Sequence, residues 1–470
     1  MNAGGSSTAL HDASAAELHA LYRRGETSPV EVVQAVLAHI AAWEPHLHAT
    51  YALDAAAALI QAEASQARWM RGAPLGPLDG VPLMIKENIA TRGVPTPLGT
   101  AATELVPEVH DAPPAARLRE AGAVILGKTT MPDYGMLSSG LSSFHALTRN
   151  PWDLSKGPGG SSAGAGAGAA AGYGPLHLGT DIGGSVRLPA GWCGVVGLKP
   201  SHGRIPIDPP YAGRVAGPMA RTVGDIALMM SVLSRPDVRD ATRLPFQDIA
   251  WQRLDRDIKG LKIGLLMDAG WGLPVDPQVQ AAVEAAARSF EAEGAIVERV
   301  PPFMTRAMAD GIDDFWRMRC WIDLSALSEA RRARVLPFIL AWARGGAGLS
   351  GERVFKGYSQ MALMRDAAVR AGEPFDLLLS PTAPIAAFAA ELASPNDDPS
   401  RPFEHIAFTL PYNMSEQPAI SINCGYTEAG LPIGLQIAGH RFDDLGVLQA
   451  ARSWERMRPA PRAWPVPPSS

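Results

Sequence analysis

Two Gly-Gly-Ser elements, Gly159-Gly160-Ser161 and Gly183-Gly184-Ser185, place their serines 24 residues apart. Glycine has no Cβ, so main-chain N–H groups can close on a ligand, and a serine directly after such a turn can face a cavity lined by those donors. In that setting a hydroxyl attacks a carbonyl while N–H groups hold the oxyanion. A serine nucleophile also needs a base. No histidine lies at a telling offset from either serine, so a Ser-His-Asp arrangement would rest on spatial proximity alone. Lysine is the other candidate. The chain has seven lysines against 35 arginines, and lysine, unlike arginine, can give up its proton when buried. Lys86 ends the apolar run Val81-Pro82-Leu83-Met84-Ile85. It should therefore emerge at a strand's carboxyl end, where α/β proteins place their sites.

Other patterns carry less. Gly160-x-Ser162-x-Gly164 fits the nucleophile elbow, but the elbow follows a strand, and residues 148–156 read as a polar loop. Gly166-x-Gly168-x-x-Ala171 has no apolar strand before it and reads as a small-residue helix packed under the site. No Ser-x-x-Lys occurs. His46-x-His48 lacks a third ligand at a metal-binding spacing and reads as a polar loop end. No metal or organic cofactor is expected.

The elements that must position these residues follow from the wider pattern. A chain of 470 residues with 47% hydrophobic residues and a net charge of −5 can bury a large core. Without a run of five like charges it lacks the footprint of a nucleic-acid or anionic-membrane binder. Three separated cysteines write no disulfide framework and fit a reducing cytoplasm. No signal peptide or membrane span is expected. Ser14-x-x-Glu17 and Ser28-Pro29-x-Glu31 are capping boxes that start helices before the first strand. From Gly80 onward short apolar runs alternate with helical stretches, at Val81–Ile85, Ala123–Leu126, Val195–Leu198, Ile263–Met267, Leu377–Leu379, Ala419–Ile422 and Gly434–Ile437. That alternation favours an α/β sheet covered by helices.

The run Leu78-Asp79-Gly80-Val81-Pro82-Leu83-Met84-Ile85-Lys86-Glu87-Asn88, the Gly-Gly-Ser-Ser segment and Thr180-Asp181-Ile182-Gly183-Gly184-Ser185 resemble, in this order and spacing, the amidase signature family. Asn150-Pro151-Trp152, Gly197-Leu198-Lys199-Pro200, Ser380-Pro381-Thr382-Ala383-Pro384 and Gly430–Gln436 extend the resemblance. It implies Ser185 as nucleophile, Ser161 as bridging serine after a cis peptide bond, and Lys86 as base. It also implies an oxyanion hole formed by the N–H groups of Ile182, Gly183, Gly184 and Ser185, with Ser162 hydrogen-bonded nearby. Tyr134-Gly135-Met136 matches the acyl-side loop in position, and Arg204 lies on a loop near the site in some relatives. These residues, with Ser162, are the expected substrate contacts.

The fold implied is a large mixed, twisted sheet sandwiched by helices (α/β/α). The expected divisions are N-terminal helices over 1–75, a core with the catalytic motifs over 76–237, a linker and helical insert over 238–372, the C-terminal part of the core over 373–458, and an unpacked Pro-rich tail over 459–470. Phe303, Met304, Met308, Phe315, Trp316, Met318 and Trp321 in the insert either line an apolar entrance or pack as helical core. The implied activity is hydrolysis of a C–N bond in a small amide, aryl amide or carbamate (urethane), with a small-molecule partner, no nucleic acid or membrane, and a homodimer left open. The alternatives are the glutamine-hydrolysing subunit of a tRNA-dependent amidotransferase, which works with a partner, and a catalytically silent binding protein on the same fold.

Overall fold

The computed structural model describes residues 9–468. The first eight residues of the N-terminal segment and the last two of the tail lie outside it. Both capping boxes form: Ser14 Oγ accepts the Glu17 N–H and Ser28 Oγ that of Glu31, each at 3.2 Å, and each glutamate reaches back to its cap's own N–H. They open the helices Ala15–Arg24 and Pro29–Leu47.

Eleven strands then build one mixed sheet. They are β1 (Thr50–Tyr51), β2 (Pro82–Lys86), β3 (Val124–Thr129), β4 (Leu176–Asp181), β5 (Val196–Lys199), β6 (Val215–Ala220), β7 (Lys262–Leu265), β8 (Ile296–Arg299), β9 (Leu377–Pro381), β10 (Ala419–Tyr426) and β11 (Pro432–Ala438). The order across the sheet is β1-β3-β2-β4-β6-β5-β10-β11-β9-β7-β8. β2 runs parallel to both β3 and β4, whereas β4, β6, β5, β10, β11 and β9 pair antiparallel in turn. Helices flank the sheet on both faces, and the alternation of side chains along β2 shows why they must. Leu83 and Ile85 enter the core shared with helix Val223–Leu233, while Met84 enters the core under helix Pro29–Leu47. A strand buried on both faces reads as a continuous apolar run, which is how β2 looks in the sequence.

Two expected divisions are corrected. Residues 238–372 are not simply a linker and helical insert, because β7 and β8 join the sheet beside β9, with helix Pro277–Ala292 between them. The appended part is the helices Arg306–Ser325, Glu329–Arg332, Pro337–Arg344 and Gly351–Gly372, which share a core containing Trp316, Cys320, Leu324, Ile339, Trp342 and Met364. Nor is the tail unpacked. Trp464 lies under the Arg221 guanidinium, 4.4 Å from carbon to ring centroid, and the Arg462 N–H donates to the Tyr426 hydroxyl at 3.2 Å. No helix among the described residues is long and apolar enough to cross a membrane.

Candidate active site

β2 and β4 lie side by side and parallel, with Ile85 opposite Leu178, so their carboxyl ends open at one edge. Lys86 is the last residue of β2 and Thr180-Asp181 close β4. Between them runs the turn that leads into helix Ala163–Ala171, an Ala/Gly helix buried along its whole length. The Gly160–Ser161 peptide at its entry is cis.

These elements bring Lys86 Nζ to 2.8 Å from Ser161 Oγ and 3.0 Å from Thr180 Oγ1, and Thr180 Oγ1 also accepts from Asn88 Nδ2 at 3.1 Å. Lys86 is wholly buried. Burial pushes its ammonium down from the ordinary lysine value to about 7, and the nearby Arg214 charge adds to the effect, while Asp181 and Glu87 oppose it. Such a shift does not by itself single out a base. Burial also takes Lys199 to about 7 and Lys128 to about 8, yet these amines donate to the Pro200 and Ile89 carbonyls. Of the three, Lys86 is the one that meets a serine hydroxyl.

Ser185 is partly exposed and follows the loop Ile182–Gly184. Its carbonyl accepts the Ser162 N–H at 3.2 Å, which ties the two Gly-Gly-Ser turns together. Among the described residues no hydrogen bond joins the Ser161 and Ser185 hydroxyls.

The loop itself is shaped by Asp181. Its carboxylate accepts the Gly184 N–H at 2.8 Å and the Val186 N–H at 3.0 Å, and it pairs with Arg187 at 2.9 Å and with Asn413 Nδ2 at 2.8 Å. Burial works to raise the Asp181 carboxyl, but the Arg187 charge and these hydrogen bonds outweigh it and hold the group well below the usual carboxylate range. This corrects the expected oxyanion hole. The Gly184 N–H is already engaged by Asp181, which leaves Ile182, Gly183 and Ser185 as the candidate donors.

The structure brings Tyr134, Gly135 and Met136 to the same place. A Cβ on Gly135 would lie 3.3 Å from Ser161 Oγ, and Met136 is buried beside it. Two expected substrate contacts are corrected. Ser162 is fully buried and its hydroxyl is turned onto the main chain of Thr180, at 3.2 and 3.3 Å. Arg204 is buried in an ion pair with Asp444 at 3.0 Å, so its guanidinium is engaged within the protein. Of the insert's aromatic and methionine residues, Trp316 reaches the oxyanion loop. With Ile406 it flanks Gly183, whose Cβ would meet Trp316 Cη2 at 3.5 Å and Ile406 Cδ1 at 3.3 Å. Met304 and Trp316 are buried, whereas Phe315 packs edge-on against Tyr358 and Trp321 sits under Arg332. Sequence reasoning missed Thr180, Arg187, Asn413 and also Thr409, whose hydroxyl donates to the Gly183 carbonyl at 2.7 Å. The first two stood inside the quoted motifs or directly beside them, while Thr409 and Asn413 come from a segment without a motif signal.

Residues 31–448 match the Amidase family model. A glutamyl-tRNA(Gln) amidotransferase subunit of Myxococcus xanthus (strain DK1622) is 36% identical, with 95% of this chain and 97% of that protein covered. The corresponding protein of Roseiflexus castenholzii (strain DSM 13941 / HLO8) is 35% identical over 96% of each. Among solved structures, a bacterial aryl acylamidase of the amidase signature enzymes superposes with a TM-score of 0.88 at 31% identity, covering 95% of this chain and 96% of that one. A 6-aminohexanoate cyclic dimer hydrolase gives 0.87 at 28% identity, with 97% and 99% covered. With its motifs, its mixed sheet and its buried lysine at the strand edge, the chain belongs to the amidase signature family.

Proposed function

We propose that the protein is a serine amidohydrolase that cleaves the C–N bond of small amides, aryl amides or carbamates. The observation that carries this reading is the buried Lys86 amine, 2.8 Å from Ser161 Oγ and titrating near neutrality. Uncharged Lys86 takes the Ser161 proton as Ser161 takes that of Ser185, and Ser185 attacks the carbonyl carbon. The hydroxyl-to-hydroxyl step closes when substrate binds, since catalytic hydrogen bonds often tighten only in the complex. The N–H groups of Ile182, Gly183 and Ser185 receive the oxyanion. The same relay returns a proton to the leaving nitrogen, an ester forms at Ser185, and water releases the acid. Three free cysteines suit a reducing cytoplasm.

Trp316 and Ile406 border the reacting centre with apolar surface, which favours an aryl or alkyl group beside the scissile bond. The second reading is a glutamine-hydrolysing amidotransferase subunit that hands ammonia to a partner. It is favoured by the identity, over nearly the whole length, to proteins named as amidotransferase subunits. A hydrolysis screen over p-nitroanilides, primary amides, p-nitrophenyl esters, small carbamates and glutamine, with the isolated chain, separates the two. Turnover of aryl amides or carbamates without a partner, abolished by Ser185→Ala, supports the first. Glutamine as sole substrate would replace it with the second, and turnover that survives Ser185→Ala would overturn both.

A further inference from the structure

Helix Arg306–Ser325 presents Trp316 and Arg319 one turn apart, hence on one face. Trp316 flanks Gly183, and Arg319 Nη2 reaches Met136 Sδ at 3.6 Å, next to the Gly135 that packs on Ser161. A second arginine arrives from another direction. Arg214 immediately precedes Val215, which pairs with Asp181 across β4 and β6, so Arg214 stands level with the start of the oxyanion loop. Its Nη1 donates to the Pro209 carbonyl at 2.8 Å. Tyr211 joins them, with the Arg319 guanidinium carbon 4.9 Å from its ring centroid.

Neither Arg214 nor Arg319 forms an ion pair among the described residues, although this chain pairs most of its partly buried arginines. Asp208 and Asp323, the acids that bear on Arg214 and Tyr211, are exposed and pair with neither. Arg319 Nε, the Tyr211 hydroxyl and Trp316 Nε1 are all buried without a hydrogen-bond partner. Two guanidinium groups without an ion pair, and buried donors without a hydrogen-bond partner, cost the fold stability that a bound anion would offset. The Arg214 N–H donates to the Tyr211 carbonyl at 3.0 Å, so the ring under Arg319 belongs to the same turn as Arg214, and burial and the like charge of Arg319 lower the Arg214 guanidinium to about 10.

We infer that Arg214, Arg319 and Tyr211 form an anion subsite beside the reacting centre, and that the substrate is an amide or carbamate bearing a carboxylate next to an apolar body. The inference rests on the amidohydrolase reading and narrows it. The carboxylate would sit between the guanidinium groups while the apolar part lies against Trp316 and Ile406.

The test compares kcat/KM for matched neutral and carboxylated anilides: acetanilide against 4-acetamidobenzoate, which carries the charge on the amine side, and butyranilide against N-phenylsuccinamate, which carries it on the acyl side. One carboxylated member should be preferred by about tenfold or more, mostly through KM, as charge-assisted hydrogen bonds allow. Arg319→Gln and Arg214→Gln should each collapse that ratio, Arg319→Lys should restore part of it, and added salt should reduce it. If neither carboxylated anilide is preferred, or if the preference survives both glutamine variants, the subsite is wrong. Hydrolysis of the neutral anilides that is lost in Ser185→Ala would leave the parent reading standing in that case, whereas hydrolysis that persists in Ser185→Ala would remove the parent reading instead.

Discussion

Asp181 and Arg187 form an ion pair at 2.9 Å in which both side chains are fully buried, and the same carboxylate holds the Gly184 N–H. The pair therefore belongs to the architecture of the oxyanion loop. Taking away one partner strands a buried charge, which costs roughly 3–5 kcal/mol. Arg187→Met should lower stability by about that amount, and it should also lose turnover under conditions where the chain remains folded. Urea unfolding beside kcat/KM at a fixed folded fraction checks this. A stable variant with full activity would show that the loop keeps its shape without the pair.

The acid limb of the activity profile should fall near pH 7, because the relay needs Lys86 uncharged and its amine titrates there. Activity rises with pH as the ammonium loses its proton. Arg214 is a like charge that helps to keep that pKa down, so Arg214→Gln should move the limb to higher pH and depress activity below it by a constant factor that fades once the pH passes the new limb. The kcat/KM profile on acetanilide, a neutral substrate, isolates this effect from any recognition of charge. A limb that stays in place would show that burial alone sets the lysine.

The same lysine should cost stability in a pH-dependent way. Its folded pKa lies below its unfolded value, so the unfolded chain binds more protons between pH 7 and 10.5, and stability rises with pH across that window. The cost vanishes above 10.5 and is constant below 7. Lys86→Met removes it, while leaving Ser161 and Thr180 without the amine. The difference in Tm between Lys86→Met and the parent should therefore shift in favour of methionine as pH falls from 10 to 7, while the variant has no amidase activity. A Tm difference that is flat across those pH values would contradict a neutral buried amine.

What the sequence made legible here follows from locality. Lys86 at the end of an apolar run, and two glycine turns with serines, are short-range patterns, and a parallel pairing of β2 with β4 suffices to bring them together. The sheet was legible for the same reason as far as the apolar runs marked strands. β6 escaped because Val215–Ala220 contains Gly217 and Pro218, which break a strand pattern. The apolar run at β7 is visible but falls within the stretch 238–372 read as a linker and insert, and β8, Ile296–Arg299, has no apolar run to mark it; the place of both beside β9 is decided more than 70 residues later in the chain. Competition for hydrogen bonds was not legible at all. That Gly184 gives its N–H to Asp181, that Arg204 is bound by Asp444, and that Arg187 reaches Asn413 are long-range or side-chain outcomes with no periodic trace.

The two glycines of the oxyanion loop should respond differently to a methyl group. Gly184 has φ +125, a conformation that side-chain-bearing residues rarely adopt, and a Cβ there would run into the Thr409 hydroxyl that holds the Gly183 carbonyl at 2.7 Å. Gly184→Ala should thus displace the loop and reduce kcat by about 100-fold or more, the scale of losing an oxyanion donor. Gly183 carries no such backbone demand, and a Cβ there would meet only the ends of Ile406 and Trp316 at 3.3 and 3.5 Å. Gly183→Ala should fold with little change in Tm and raise KM for bulky anilides more than for acetamide, because it narrows the apolar border and leaves the N–H in place. Equal losses of kcat in both variants, with KM unchanged, would mean that Trp316 and Ile406 do not border the bound substrate.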